Sequence, residues 1–318
     1  MTRRSSGKNV LVMAVLFCLL LNAAAESKRP VVFVSIGPQL ESVRRIGGGA
    51  VDVHAMLPAG LNPETFSPDA RQMSALARAD AYVTIGVPFE KTIVAKIRAS
   101  FPNLKIVDGR TGMAFRRMEG GVHHHHGEHH DHDDDDHDEH AHEAGEDDPH
   151  VWLSIENMKC HARMVAVALA EVLPDTEHAA VDARAAEYLR ELDALSAELK
   201  SKLSSLKGTE AVVYHPAFGY FLDDHGIHQK AVELEGKEPG ARYLGTVIRE
   251  AKHDGIRVIF VQPQFNAKAA EVLSHEIGGK VLPFDPLPNE YSDGLRRLAD
   301  ALLEAESCRK NKNEFMGR

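Results

Sequence analysis

The chain has 318 residues, 43% of them hydrophobic, and a formal charge of −10. That length supports two domains of ordinary size, and the hydrophobic content is normal for a soluble globular protein. The charge is concentrated: the segment from Val122 to Pro149 holds twelve Asp or Glu and no Lys or Arg, so the rest of the chain is close to neutral and carries no nucleic-acid footprint.

Residues 1–25 read as a secretory signal. Arg3, Arg4 and Lys8 are its positive region, Val10 to Leu21 its apolar run, and Ala23, Ala24 and Ala25 a cleavage site before Glu26. The apolar run of twelve is too short to span a bilayer comfortably. Cys18 follows Phe17 inside that run, where a lipid-attachment motif needs a small residue. The expected mature protein is therefore exported, soluble and periplasmic. Two cysteines remain, Cys160 and Cys308, and two free thiols are expected, with Cys160 buried on a helix.

Strands are expected at Val31–Ile36, Val51–Leu57, Ala81–Ile85 and Lys105–Val107. Between them, helices are expected at Pro38–Arg45, from Ser67–Pro68 to about Ala79, and at Pro88–Ser100. The segment PAGLNPETFSP reads as a loop from its Pro and Gly content. Strands alternating with helices predict a parallel sheet covered on both faces.

The segment from His123 to Trp152 follows. Ten of its histidines precede Pro149: His123, His124, His125, His126, His129, His130, His132, His137, His140 and His142, interleaved with the twelve acids. No apolar residue larger than Ala separates Val122 from Val151, so a mobile, solvated loop is expected. A purely acidic run would be a solvated face, and a histidine tag would sit at a terminus without carboxylates. Imidazole is the commonest metal ligand, and carboxylates suit the same divalent ions, so this loop predicts auxiliary metal binding, zinc above all. His150 stands where the polar run stops, in DPHVWL.

Ser154 is expected to cap a helix over Ile155–Leu173, ended by Pro174. Thr176–Leu206 is the longest helical pattern, with Leu189, Leu192, Leu195, Leu199, Leu203 and Leu206 on one stripe. Thirty residues would make a rod of about 45 Å, long enough to join two lobes. Strands follow at Ala211–Tyr214, Lys230–Leu234, Arg257–Val261 and Lys280–Pro283, with helices from about Tyr243 and Ala267. His215, Glu235, Gln262 and Asp285 stand where strands end, the place where open parallel sheets bind ligands.

The landmarks LPAGLNPETFSP, DPHVWLSIEN, YHPAFGYFLDDHGI, EGKEPGARYL, VQPQF and FDPL, with the acidic His-rich insertion, resemble the periplasmic metal-binding component of ABC-type zinc and manganese uptake transporters. The resemblance covers nearly the whole mature chain. It implies an α/β fold of two Rossmann-like lobes with parallel sheets, joined by a long rigid helix, with the metal in the cleft between them. The implied organisation is a signal at 1–25, a first lobe at 26–153 including the loop 122–149, helices at 154–208 and a second lobe at 209–318. By the same resemblance His150 and His215 match two imidazole ligands, and Asp285 matches a carboxylate ligand. The first ligand departs from the family: a histidine is usual where this chain has Glu64. The implied set is Glu64, His150, His215 and Asp285.

The cargo implied is Zn²⁺, with Mn²⁺ as the alternative because two carboxylates resemble the manganese-type set. The implied partners are an inner-membrane permease and its ATPase, with the binding protein a monomer and not an enzyme. His54 is the alternative nitrogen ligand, and Trp152 is expected in the core. Glu235 and Glu238 are candidates for the lobe surface. A zinc metallohydrolase would need an open coordination position and a base, and neither HExxH nor GxSxG is present. A zinc buffer or surface adhesin would make the loop the main functional part.

Overall fold

The computed structural model describes residues 28–118, 147–233, 240–265 and 268–316. Residues 1–25, expected to be a signal, the ten loop histidines, Glu235 and Glu238 lie outside the described residues. Within them run β1 (Val31–Val34), α1 (Gln39–Gly47), β2 (Asp52–Ala55), α2 (Ala70–Leu76), β3 (Ala81–Thr84), α3 (Pro88–Ser100) and β4 (Lys105–Asp108). After a 3₁₀ turn at Val151–Leu153 come α4 (Ile155–Val172), α5 (Asp175–Lys202), β5 (Glu210–Val213), α6 (Gly219–Asp224) and β6 (His228–Ala231). The chain continues with α7 (Ala241–His253), β7 (Val258–Val261), α8 (Lys268–Glu276), β8 (Lys280–Pro283) and α9 (Tyr291–Met316).

Two four-stranded sheets form, ordered β2-β1-β3-β4 and β6-β5-β7-β8, with every pairing parallel. β3 and β7 are buried at all four positions, as central strands covered on both faces must be. In each sheet the strand order reverses between the first and third strands, and a cleft opens beyond their carboxyl ends.

The 28-residue α5 lies between the two sheets in the chain and is about 42 Å long at ~1.5 Å per residue. Leu192, Leu195 and Leu199 are buried on it, and Leu203 and Leu206 continue the stripe into a 3₁₀ turn at Ser204–Leu206. Each buried Leu contributes about 1.5–3 kcal/mol. Packing against α1, α4 and α9 therefore decides this helix's place, rather than its charged outer face.

The structure moves several expected boundaries. α2 starts at Ala70 instead of after Ser67, because Asp69 and Gln72 cap each other reciprocally: Asp69 Oδ1 accepts from Gln72 N at 2.7 Å, and Asp69 N donates to Gln72 Oε1 at 2.9 Å. Ser67 has Ala70 three residues on and can form no such pair. Ser154 precedes α4 without capping it; its hydroxyl donates to Asp224 Oδ2 at 3.2 Å instead. Two helices, α6 and α9, were not anticipated. α9 carries its signal plainly in Leu295, Leu298, Ala299 and Leu302, all buried at spacings of three and four. Cys160 and Cys308 are free thiols, as expected, but Cys160 is half-buried, its thiol donating to Gly112 O at 3.2 Å.

α9 returns to the first lobe. The carboxylate of Glu41 on α1 accepts hydrogen bonds from the backbone N of Ser292 at 3.0 Å and from its hydroxyl. Arg44 pairs with Glu290 at 2.9 Å beside it. The approach is close: a Cβ at Gly37 would stand 2.5 Å from Asn289 Oδ1. Loop and helix of the second lobe are thus held against α1 at the rim of the cleft.

Candidate metal centre

The cleft is lined by Asn62, Glu64, His150, Trp152, His215 and Gln264, together with Pro63, Ala217, Phe265, Pro286 and Leu287. Both lobes contribute. Glu64 comes from the loop after β2, where Asn62 Oδ1 accepts from Glu64 N at 2.8 Å and folds the backbone into a tight turn. His150 opens the 3₁₀ turn before α4, and His215 lies just beyond the end of β5.

Each histidine is held by a buried carboxylate. His150 Nδ1 lies 2.7 Å from Asp148 Oδ1, and that oxygen also accepts from His150 N at 3.0 Å. His215 Nδ1 lies 3.0 Å from Glu233 Oε2. Asp148 is fully buried and Glu233 nearly so. A carboxylate beside Nδ1 fixes the proton there and leaves Nε2 as a lone pair. Burial opposes ionisation of Asp148, but the hydrogen bonds from His150 and Arg116 outweigh it and hold its carboxyl below the usual carboxylate range.

Those supports are themselves anchored. Arg116 spans from Asp148 to Asp223 of α6, at 2.8 Å to each. Its guanidinium crosses Gly219, where any Cβ would collide with it. Tyr220 Oη donates to Asp148 O at 3.0 Å. Gln262 clasps the backbone of His215, accepting from its N at 3.3 Å and donating to its O at 2.7 Å. The Phe265 ring stacks on the imidazole of His215 at 4.6 Å, and Trp152 lies edge-on to His150 at 5.3 Å. Trp152 is buried as expected, and its Nε1 donates to Pro286 O at 2.8 Å, tying the turn that carries His150 to the loop after β8.

The imidazoles meet across the cleft with Nε2 atoms 3.3 Å apart, and His215 Nε2 lies 3.4 Å from Glu64 Oε1. Zinc bound at ~2.0–2.1 Å with tetrahedral angles places its donors about 3.3–3.4 Å from one another. Both separations match. With both Nδ1 atoms protonated, the Nε2 lone pairs face each other, an arrangement that a cation between them relieves.

Asp285 lies beyond β8. Its Oδ1 accepts from Leu287 N at 2.9 Å and from Gln264 Nε2 at 2.8 Å, and it does not line the cavity. Glu64 is the less buried of the carboxylates beside His215, with 32% of its side chain exposed. Among the described residues, no set of three or more His, Cys, Asp and Glu side chains stands in complete metal-holding geometry. The cleft therefore presents a converging imidazole pair with one adjacent carboxylate. His54 sits exposed on β2 against the ring of Phe33 and is not among the lining residues.

Sequence reading missed Asp148, Glu233 and Gln264. Asp148 had a signal, its place two residues before His150; Glu233 is brought to His215 only by the pairing of β5 with β6.

The model of the family described as the zinc-uptake complex component A, periplasmic, matches residues 32–305. The zinc-binding protein AdcA of Streptococcus pyogenes serotype M3 is 30% identical over 267 residues, covering 83% of this chain and 51% of its own length. The chain thus spans about half the length of the AdcA proteins it matches. The crystal structure of ZnuA superposes with a TM-score of 0.76 at 32% identity, over 87% of this chain and 99% of that one. A ZnuA deletion mutant solved with zinc bound matches equally, with 98% of its chain covered. Among the described residues no helix is long and apolar enough to cross a membrane. From residue 32 to residue 305, through both lobes and the cleft between them, this chain belongs to the periplasmic zinc-uptake component A family.

Proposed function

We propose that the protein captures Zn²⁺ in the periplasm and delivers it to an inner-membrane ABC permease driven by its ATPase. His150 and His215 bind the ion through Nε2, with Glu64 and Asp285 supplying oxygen. The observation that carries this reading is the facing Nε2 pair, 3.3 Å apart, with each Nδ1 beside a buried carboxylate. That spacing is the donor separation of tetrahedral zinc, about 3.3–3.4 Å. Glu64 and Asp285 close onto the ion by short side-chain movements. The clasp of α9 on α1 supports release through such local movement in preference to wide lobe opening.

Mn²⁺ is the second reading, favoured by one feature: Glu64 and Asp285 are hard oxygen donors. The imidazole pair favours zinc. The loop histidines, His123 to His142, serve as auxiliary sites that bind zinc weakly and independently of the tight site. The mature chain starts at Glu26 and acts as a monomer.

Competition titration of zinc against a chelator tests the reading. Removal of residues 122–147 should leave one tight site, whereas His150→Ala or His215→Ala should each abolish it. A tight site that survives in either histidine variant would place the ion elsewhere.

A further inference from the structure

Gln264 lies in the turn after β7 and lines the cleft beside His150, His215 and Glu64. Its Nε2 donates to Asp285 Oδ1 at 2.8 Å. That bond fixes the orientation of the amide, because the reversed amide would set two oxygens against each other. The other end, Oε1, is buried and has no hydrogen-bond partner among the described residues. A buried carbonyl left unpaired loses its hydration without replacement, so native structures rarely keep one without use. Asp285 presents the opposite picture: one oxygen receives two donors, and the residue does not line the cavity.

Building on the cleft reading above, we propose that Gln264 is a further residue of the ion site: its Oε1 is a neutral oxygen donor to the bound cation, while its Nε2 orients Asp285. The amide is thus both a contact to the ion and a brace for the carboxylate behind it. Neutral amide oxygen is a hard donor. Its loss weakens Mn²⁺ more than Zn²⁺, whose binding rests on the two imidazoles.

The test is a double-mutant cycle on the full chain, using Gln264→Leu, Asp285→Ala and the double variant, with zinc and manganese chlorides titrated against a chelator. Gln264→Leu is expected to lower affinity about tenfold for zinc and closer to a hundredfold for manganese, the range found when supporting residues of metal sites are lost. The loss should persist in the Asp285→Ala background. There Gln264→Glu should bind more tightly than Gln264→Leu, since it returns an oxygen with no carboxylate opposing it. Gln264→Leu should not lower the metal-free thermal midpoint in that background, where the bond from Nε2 is already gone and leucine removes only an unpaired buried carbonyl.

Unchanged affinity in Gln264→Leu would overturn the proposal. So would a loss that vanishes in the Asp285→Ala background, which would leave Gln264 as a brace alone, or a metal-free midpoint lowered in that same background, which would make its role structural. His150→Ala is measured alongside. If that variant keeps the tight site, the cleft reading itself fails; if it loses the site while Gln264→Leu binds normally, only the role of Gln264 fails.

Discussion

Replacing Glu233 tests how far a buried carboxylate controls the metal-binding face of an imidazole 18 residues away in the chain. Glu233 is 3% exposed and stands 3.0 Å from His215 Nδ1. While it accepts that proton, Nε2 is bound to be the lone pair facing His150 and Glu64. In Glu233→Gln the carbonyl can still accept, but without charge, so the imidazole is less firmly held. In Glu233→Leu the acceptor is gone, and the tautomer with its proton on Nε2 competes. Outer partners of metal-ligating histidines are worth about 10–100-fold in affinity. Glu233→Gln should therefore lose about tenfold and Glu233→Leu about a hundredfold, roughly 1.4 and 2.8 kcal/mol at ~1.4 kcal/mol per decade. Chelator competition for the tight zinc site gives the number, and circular dichroism confirms the fold. Wild-type affinity in a folded Glu233→Leu protein would refute the reasoning, because His215 would then bind zinc without its tautomer being set.

Glu64→His should raise the preference for zinc over manganese, since imidazole is the softer donor; an unchanged ratio of the two affinities would put Glu64 outside the ion's reach. Glu41→Ala removes both acceptors at the start of α9 and should cost about 1–2 kcal/mol in urea unfolding, the scale of a lost helix cap. His161 is fully buried, and burial lowers its pKa from 6.5 to about 4 against a smaller opposing contribution from the backbone of Gly109. The unfolded chain therefore binds more protons between those values. The stability this histidine contributes is complete above pH 6.5 and is lost as pH falls towards 4, a total of about 3 kcal/mol at ~1.36 kcal/mol per unit. His161→Leu should flatten that part of the stability profile, and an unaltered profile in chemical denaturation would show that His161 is not held neutral by the fold.

The local chemistry of the site was legible in the sequence where it is local in the chain. DPHVWL carries both His150 and its supporting Asp148, and PAGLNPE carries the turn that presents Glu64. The repeated strand-and-helix pattern was enough to expect parallel sheets, because buried central strands such as Val258–Val261 have no polar face to show. The leucine stripe of α5 stood out because one face of a long helix must be apolar to pack.

Tertiary structure decided the rest, where the partner is distant in the chain. Nothing near His215 names Glu233 as its acceptor, and nothing near Arg116 names both Asp148 and Asp223. Those pairings exist only once β6 lies beside β5 and α6 is brought up to the turn that carries His150. Asp285 could be read from its place in FDPL as a group for the cleft, but that one of its oxygens accepts from Leu287 and Gln264, and that Gln264 lines the cavity, only the fold shows. Sequence fixes which donor types are available and roughly at which strand ends. The meeting of two imidazole nitrogens at 3.3 Å depends on how two sheets distant in the chain are clamped together, a property of packing that no single stretch of the chain contains.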